Sequence, residues 1–219
     1  MKNNIRITLE YDGSRYDGWQ KQGNTENTIQ GKLEAVLLKM AGEEVEVHGS
    51  GRTDAGVHAK GQVANFHVDA KICPDGETAK EYLNRYLPED IRVQSSEEVP
   101  ADWHPRKANC TKTYEYKVLN RKISMPLERL YAHFCYFNLD LDKMREAAVY
   151  LVGEHDFKSF CAVNAQVKTT VRTIYACSVT KEDDIITIRV TGNGFLYNMV
   201  RIIAGTLIQV GGGQIEPEQ

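Results

Sequence analysis

The first residues of the chain alternate between hydrophobic and polar side chains, which is the period of a strand with one buried face. This alternation predicts a strand that ends at the Asp12-Gly13 turn, with its apolar positions at Ile5, Ile7, Leu9 and Tyr11. The stretch TIQGKLEAVLLKMAG then changes to helical spacing and predicts an amphipathic helix that Gly42 ends. The apolar face of that helix consists of Ile29, Leu33, Val36, Leu37 and Met40.

Two more strands and a second helix are predicted in the first half of the chain. The apolar positions of these strands are Val45 and Val47, and then Ala64, Phe66 and Val68. The stretch AKEYLNRYL predicts a helix that stops at Pro88, because proline lacks the amide hydrogen that a helix interior needs. The polar stretch SSEEVPADWHP, residues 95–105, is predicted to be a linker.

The second half of the chain repeats the same order of elements. A strand is predicted through Tyr114, Tyr116 and Val118, followed by a helix over DLDKMREAAVYLVG, strands at RTIYACSV and IITIRV, and a helix from about Asn198. Strand, helix, two strands and helix therefore occur twice. This order predicts an α+β fold of two similar halves, residues 1–100 and 101–219, each an antiparallel sheet flanked by helices, with the active site in a cleft between them.

Composition places the chain among ordinary globular proteins. It has 219 residues, of which 42% are hydrophobic, so it can bury a core of its own. No apolar run is long enough to cross a membrane, and the N-terminus lacks the apolar core of a signal peptide. The five cysteines form no C-x-x-C pair, which favours a reducing compartment over a disulfide framework or a thiolate zinc site. We therefore expect a cytoplasmic protein without a membrane segment.

Charge is unevenly distributed along the chain. The formal net charge is −3, but residues 104–122 carry six basic side chains against the single acid Glu115. Tyr114 and Tyr116 lie within this basic stretch. Basic residues interleaved with aromatic rings can hold a phosphate backbone while a ring stacks on a base, but the same pattern also suits a solvated strand face. The stretch alone leaves both interpretations open.

The stretch GSGRTDAGVHA, from Gly49 to Ala59, contains the strongest chemical signal. A dinucleotide-binding loop would need a glycine where Asp54 stands, and a P-loop would need Lys and Ser or Thr where Val57 and His58 follow Gly56. Both nucleotide-binding motifs are therefore excluded. What remains is a tight turn that presents an acid, Asp54, beside a base, Arg52. The histidines around it have no spacing typical of metal ligands.

Five segments together resemble the TruA family of tRNA pseudouridine synthases. They are YDGSRYDGWQKQ, GRTDAGVHA, KTYEYKV, GEHDFKSF and NGFLYNMVRIIAGTLIQVG, and they occur in family order along nearly the whole chain. The resemblance implies an enzyme without a cofactor or metal that isomerises uridine to pseudouridine at positions 38, 39 and 40 of the tRNA anticodon stem-loop. It also implies a homodimer and a further helix and strand after Gly213, so the second half is expected to be truncated.

The resemblance assigns roles to individual residues. Asp54 matches the acid that acts at the glycosidic bond, where positive charge develops at C1′ when the bond breaks. Arg201 matches the arginine that pairs with this aspartate, which would keep the carboxylate ionised. Arg52 matches the arginine that helps to extrude the target nucleotide. Tyr114 matches the tyrosine that stacks on the uracil.

Other positions are weaker candidates, and other functions remain open. Lys112, Lys168 and Arg172 are expected to contact phosphates of the tRNA. Trp19 is expected either to anchor a loop or to contact RNA, and His58 to be structural. One alternative is a non-catalytic RNA-binding protein of the same fold, although a carboxylate in a phosphate-binding cleft would weaken its affinity. Another is a metal-dependent nuclease or hydrolase that uses Asp54 with histidines.

Overall fold

A computed structural model describes residues 1–108, 110–163 and 167–218. The chain divides into two compact units, Met1–Asn109 and Cys110–Gln219. Each unit contains one β-sheet and two α-helices with a hydrophobic core of its own. The predicted α+β class is confirmed. No helix within these described ranges is long and apolar enough to span a membrane.

The first unit is built around its N-terminal strand. Its strands are β1 (Lys2–Tyr11), β2 (Val47–Gly49), β3 (Ala59–Asp69) and β4 (Ile91–Val99). They lie in the order β2-β3-β1-β4, and every pair is antiparallel. The alternating apolar side chains of β1 are buried, because this strand lies in the interior of the sheet with helices over one face.

Helices α1 (Ile29–Ala41) and α2 (Gly76–Tyr86) complete the first unit. Thr28 caps the N-terminus of α1 by accepting a hydrogen bond from the Gly31 amide. Gly42 ends the helix in the left-handed conformation, with φ of 71°, which glycine adopts without a steric penalty. The predicted limits of α1 are therefore confirmed to within one residue.

Two predictions for the first unit are wrong in part. The strand predicted through Val45 begins only at Val47, although the Val45 side chain is buried in the core. The predicted linker begins inside a strand, because residues 95–99 belong to β4 and pair with residues 4–8 of β1. Residues 100–106 continue over the sheet rather than away from it. The side-chain amide of Asn4 donates to the backbone oxygens of Pro100 and Trp103, at 2.8 and 2.9 Å.

The sheet of the second unit has five strands in the order β6-β5-β9-β8-β7. These are β5 (Lys112–Asn120), β6 (His133–Cys135), β7 (Gly153–Asp156), β8 (Val171–Glu182) and β9 (Ile185–Gly192). The prediction of a purely antiparallel sheet is wrong at one edge, because β6 pairs with β5 in parallel. A long connection between β5 and β6 makes that direction possible, whereas a tight hairpin would not.

Helices α3 (Leu141–Tyr150) and α4 (Met199–Gly211) pack on the second sheet. Asp140 caps α3 by accepting hydrogen bonds from the amides of Asp142 and Lys143. The buried face of α4 includes Ile203, Ala204 and Leu207, at the three- and four-residue spacing of a helix that packs by one face. The predicted start of α4 near Asn198 is confirmed.

Candidate active site

The sequence GRTDAGVH forms a partly exposed connection between two strands of the first sheet. We call residues 50–58, which lie between β2 and β3, the Asp54 loop. The loop is closed at its base, where the Ser50 amide donates to the Val63 oxygen at 2.8 Å. The side-chain amide of Gln62 also donates to the Gly51 oxygen at 2.6 Å. Both strands that carry the loop are thus joined immediately below it.

Asp54 lies at the turn of this loop. The Val57 amide donates to its backbone oxygen at 3.1 Å, which closes a turn over residues 54–57, and Gly56 completes the turn with φ of 76°. The Asp54 side chain is partly exposed, and Arg52 is exposed. Among the described residues of the first unit, no side chain donates a hydrogen bond to the Asp54 carboxylate. Its oxygens are therefore available to a ligand in this unit.

A second segment supports the Asp54 loop from the side. We call residues 16–19, with the sequence YDGW, the bracing segment. The Trp19 amide donates to the Thr53 oxygen at 2.9 Å, and the Gly56 amide donates to the Tyr16 oxygen at 3.2 Å. These two hydrogen bonds lie on either side of Asp54 in the sequence. The backbone that carries the carboxylate is therefore held at both ends by the same short segment.

The bracing segment is itself fixed to the N-terminus of α1. The Ile29 amide donates to the Gly18 oxygen at 3.1 Å, and the Gln30 amide donates to the Trp19 oxygen at 3.0 Å. The first amides of a helix have no partners inside the helix, so these two bonds satisfy donors that would otherwise lack an acceptor. The bracing segment thus connects a regular helix to the Asp54 loop by backbone hydrogen bonds on both sides.

Close backbone contacts leave no room for side chains where the two segments meet. Gly18 has φ of 96°, and a Cβ atom there would lie 2.7 Å from the Thr53 oxygen. A Cβ atom on Gly13 would lie 2.0 Å from the Val57 oxygen. Glycine is required at Gly18 both for its backbone conformation and for this close approach. The glycines of the YDGSRYDGW stretch are thus explained by the loop that they contact.

Side chains add three further contacts to the Asp54 loop. The hydroxyl groups of Tyr11 and Thr53 are 2.8 Å apart. The Gly13 amide donates to Nδ1 of His58 at 3.1 Å, and the Asp12 carboxylate lies 3.0 Å from the same nitrogen. His58 therefore holds the C-terminal end of the loop against the turn after β1.

Tyr16 connects the bracing segment to the loop before β4. Its hydroxyl donates to the Asp90 carboxylate at 2.6 Å, and Nε of Arg15 donates to the same carboxylate at 3.1 Å. Burial raises the pKa of the Tyr16 hydroxyl, and the hydrogen bond to Asp90 raises it further. Burial opposes ionisation of Asp90, but the bonds from Tyr16 and Arg15 outweigh it and hold its pKa below the usual value.

Trp19 anchors the bracing segment in the core. Its side chain is 1% exposed and lies against Gly49, where a Cβ atom would come within 2.6 Å of the indole ring. The oxygen of Gly49 accepts a hydrogen bond from Nε of Arg106 at 3.1 Å. Of the two expectations for Trp19, the structure bears out the anchoring one. Arg106 belongs to the basic stretch 104–122 but serves the first unit here.

In the second unit, three of the predicted residues lie around the end of β9. Tyr114 is half-buried on β5, and its ring meets that of Phe195 edge-on, with 5.1 Å between the centroids. Lys112 lies two residues before Tyr114 on the same face of β5, opposite Gly192. Arg172 passes near Gly194, where a Cβ atom would lie 3.9 Å from Nε of the arginine. The segment 192–195 thus links these three candidates.

The remaining candidates, Lys168 and Arg201, lie before and after residues 192–195 in the sequence. Arg201 is exposed in the first turn of α4, three residues after Asn198, which has φ of 59°. The positive end of the helix dipole disfavours a cation at this position, so its charge does not stabilise the helix. Lys168 is exposed in the connection before β8. The predicted pairing of Arg201 with Asp54 stays a prediction.

The sequence patterns did not indicate the residues that support the Asp54 loop. We predicted no functional role for Gly13, Tyr16 or Gly18, although all three contact the Asp54 loop. The signal for them was the pair of glycines in YDGSRYDGW, because two glycines so close together indicate backbone close to another segment. In the described part of the chain, no three His, Cys, Asp or Glu side chains are grouped as metal ligands would be.

Comparison with known proteins relates the chain to one family. A family model described as tRNA pseudouridine synthase matches residues 7–106 and 147–219, which include Asp54 and Arg201 but not Tyr114. The tRNA pseudouridine synthase A 2 of Bacillus cereus (strain ZK / E33L) is 47% identical over 216 residues, 99% of this chain and 87% of the relative. The tRNA pseudouridine synthase A of Bacillus sp. (strain KSM-64) is 49% identical over 217 residues, 99% of this chain and 88% of the relative. That of Caldicellulosiruptor bescii is 48% identical over 214 residues, 98% of this chain and 86% of the relative.

Proposed function

Since the chain belongs to the family of tRNA pseudouridine synthases, we propose that it converts uridine to pseudouridine in the anticodon stem-loop of tRNA, at tRNA positions 38, 39 and 40. The chain is accordingly an isomerase that modifies tRNA. A non-catalytic RNA-binding protein is not favoured, because the relatives that match almost the whole of this chain are named as enzymes.

The observation that carries this proposal is the position of Asp54. Pseudouridine formation breaks the bond from ribose C1′ to uracil N1, turns the base and joins C1′ to C5, so positive charge develops at C1′. A partly exposed carboxylate on a loop whose backbone is held on either side of the acid in sequence can stabilise or trap that charge with little reorganisation. Asp54 is therefore the proposed catalytic acid.

Other residues take the roles that the target nucleotide requires. A base in a stacked stem is inaccessible, and Arg52 is exposed two residues before Asp54, where it can hold the phosphate of an extruded nucleotide. Tyr114 offers a half-buried ring for stacking on the uracil. Arg201 is proposed to offset the charge of Asp54, and Lys112, Lys168 and Arg172 are proposed to bind phosphates.

We also propose that the enzyme works as a homodimer in the cytoplasm. Apolar side chains are exposed between β5 and β6, with Ile123 at 72% and Leu127 at 85% exposed, and such a surface is typical of a protein interface. All five cysteines are free thiols, as a reducing compartment favours. Sedimentation should give a dimer for the wild type and a monomer for Leu127→Glu. A monomeric wild type would contradict this proposal.

The activity is tested with unmodified tRNA transcripts. Mapping of pseudouridine after incubation should locate it at positions 38, 39 and 40, and transcripts with cytidine at these positions should remain unmodified. Asp54→Asn keeps the size of the side chain and should lower turnover by several orders of magnitude while tRNA binding persists. Asp102→Asn, which removes an exposed acid outside the Asp54 loop, is the matched control for loss of one negative charge.

Three results would contradict the proposal. Turnover above a few per cent in Asp54→Asn would remove Asp54 from the chemistry. Cleavage of the tRNA that stops in EDTA would favour a metal-dependent nuclease instead. Binding of tRNA by the wild type without any pseudouridine would favour the non-catalytic alternative.

A further inference from the structure

The Asp54 loop owes its geometry to contacts that lie outside it. Its turn over residues 54–57 has one internal backbone hydrogen bond, from Val57 to Asp54, which is too little to fix an exposed loop. The bracing segment adds one bond before Asp54, at Thr53, and one after it, at Gly56. Both of these bonds depend on how closely the two backbones approach.

Gly18 sets that approach. Any other residue would place a Cβ atom 2.7 Å from the Thr53 oxygen, 3.2 Å from the Asp54 carbonyl carbon and 3.3 Å from the Ala55 amide nitrogen. All three contacts are backbone atoms, so no side chain can rotate away to relieve the overlap. A bulkier residue must therefore push the peptide that carries Asp54 away from the bracing segment.

We propose that Gly18 is a positioning residue for catalysis, which fixes the place of the Asp54 carboxylate by letting the bracing segment lie directly against the backbone of residues 53–55. This inference rests on the proposed role of Asp54. The opposite side of the bracing segment cannot yield, because its carbonyl groups accept the first amides of α1 and the indole of Trp19 is buried. The overlap therefore displaces the exposed loop rather than the segment.

Gly18→Ala is the direct test. Displacement of a reacting group by about 1 Å can cost about 100-fold in rate, so kcat should fall by about this factor. The Kd for tRNA and the number of tRNA-binding sites per protein molecule should stay unchanged. A variant that was merely less folded would lose binding sites and kcat together. The split between kcat and binding therefore separates positioning from a loss of folded protein.

Gly42→Ala is the matched control. Gly42 also has a left-handed backbone, with φ of 71°, but no atom lies within 4 Å of the position that its Cβ would occupy. It shares the backbone strain of Gly18→Ala without touching the Asp54 loop. Gly42→Ala should lower the free energy of unfolding and leave kcat unchanged.

Amide hydrogen exchange supplies a measurement that does not depend on activity. In Gly18→Ala, the amides of Trp19 and Gly56, which form the two hydrogen bonds between the bracing segment and the Asp54 loop, should exchange faster. The amides of Ile29 and Gln30, which bond the same segment to α1, should keep their protection. Equal loss of protection at all four amides would mean general loosening and would overturn the inference.

Tyr11→Phe tests the same idea without a steric change. It removes the hydroxyl that lies 2.8 Å from the Thr53 hydroxyl and should lower kcat by less than Gly18→Ala does, again without changing the Kd. A folded Gly18→Ala enzyme with wild-type kcat would overturn the inference and leave the proposed function intact. An active Asp54→Asn enzyme would instead overturn the proposed function.

Discussion

The basic stretch 104–122 includes two lysines of one strand, Lys112 and Lys117, whose placement leads to a prediction for tRNA binding. Lys112 and Lys117 both lie on β5, but their positions differ by an odd number, so their side chains leave opposite faces of the sheet. Lys112 shares its face with Tyr114, the proposed stacking residue. Lys117 lies on the other face, opposite Thr187. Only Lys112 is expected to reach a phosphate beside the target base.

The size of the effect follows from counterion release. One phosphate contact contributes about 0.7–0.9 to the slope of log K against log salt concentration. Over a fourfold rise in salt, from about 50 to about 200 mM, loss of one contact changes the ratio of affinities by about threefold. Lys112→Ala should therefore bind more weakly at low salt, and its affinity should fall by about threefold less than that of the wild type over this range.

The assay is a filter-binding or fluorescence titration of one tRNA transcript at four or more salt concentrations. Lys117→Ala removes the same charge from the same strand and should leave the slope unchanged, which makes it the matched control. Equal flattening by both variants would show that the effect comes from net charge and not from a phosphate contact. An unchanged slope for Lys112→Ala would place the tRNA path elsewhere, along Lys168 and Arg172.

Three further predictions concern single residues. Arg201→Met should abolish pseudouridine formation and leave the free energy of unfolding within about 0.5 kcal/mol of the wild-type value, because the side chain is exposed in the first turn of α4, where the helix dipole disfavours a cation. Arg201→Lys should keep part of the activity. A normal rate in the Met variant would remove Arg201 from the site. The lowered pKa of Asp90 means that its ionised form stabilises the folded state above the usual carboxyl pKa, and that this stability is lost as pH falls through the folded pKa. Urea denaturation between about pH 5 and about pH 3 should therefore show a smaller loss of stability in Asp90→Asn than in the wild type, and equal losses would contradict this account. Trp19→Ala should lower the free energy of unfolding by about 3–5 kcal/mol in the same assay, since the ring is 1% exposed against Gly49, and a change below about 1 kcal/mol would contradict its anchoring role.

Local signals made the helices and most of the long strands predictable from the sequence. Helix α1 carries its own start and stop, because Thr28 caps one end and Gly42 adopts the left-handed conformation at the other. Strand β1 shows a clear alternation, because one face lies under helices and the other is polar. In both elements the information lies within the element itself.

Strands that depend on a distant partner were not predictable in the same way. Only Ile91 and Val93 at the start of β4 are buried, and residues 94–98 are polar because the strand lies at the sheet edge. Its pairing with β1 decides its structure, and that partner is about 90 residues away in the sequence. The parallel strand β6 has three residues, too few to show a period.

Some residues of the candidate site were likewise predictable from the sequence, and others were not. Asp54 could be proposed as a reacting group from the sequence because the whole motif around it is contiguous. The bracing segment could not, because the role of Gly18 depends on contact with Thr53, which only the folded chain brings to it. A contiguous motif thus indicates a candidate reacting group more readily than the residues that would position it.

The interior position of β1 also has a consequence for synthesis on the ribosome. β1 leaves the ribosome before either of its partners, since it is paired on one side by β3 and on the other by β4, which ends at Val99. At about 5–20 residues per second, roughly 4–18 s pass between synthesis of Tyr11 and of Val99. During that interval an apolar strand has an unpaired edge, which is a template for association with other chains. The nascent first unit is therefore expected to need protection by chaperones more than a fold in which each strand pairs with the next one along the chain.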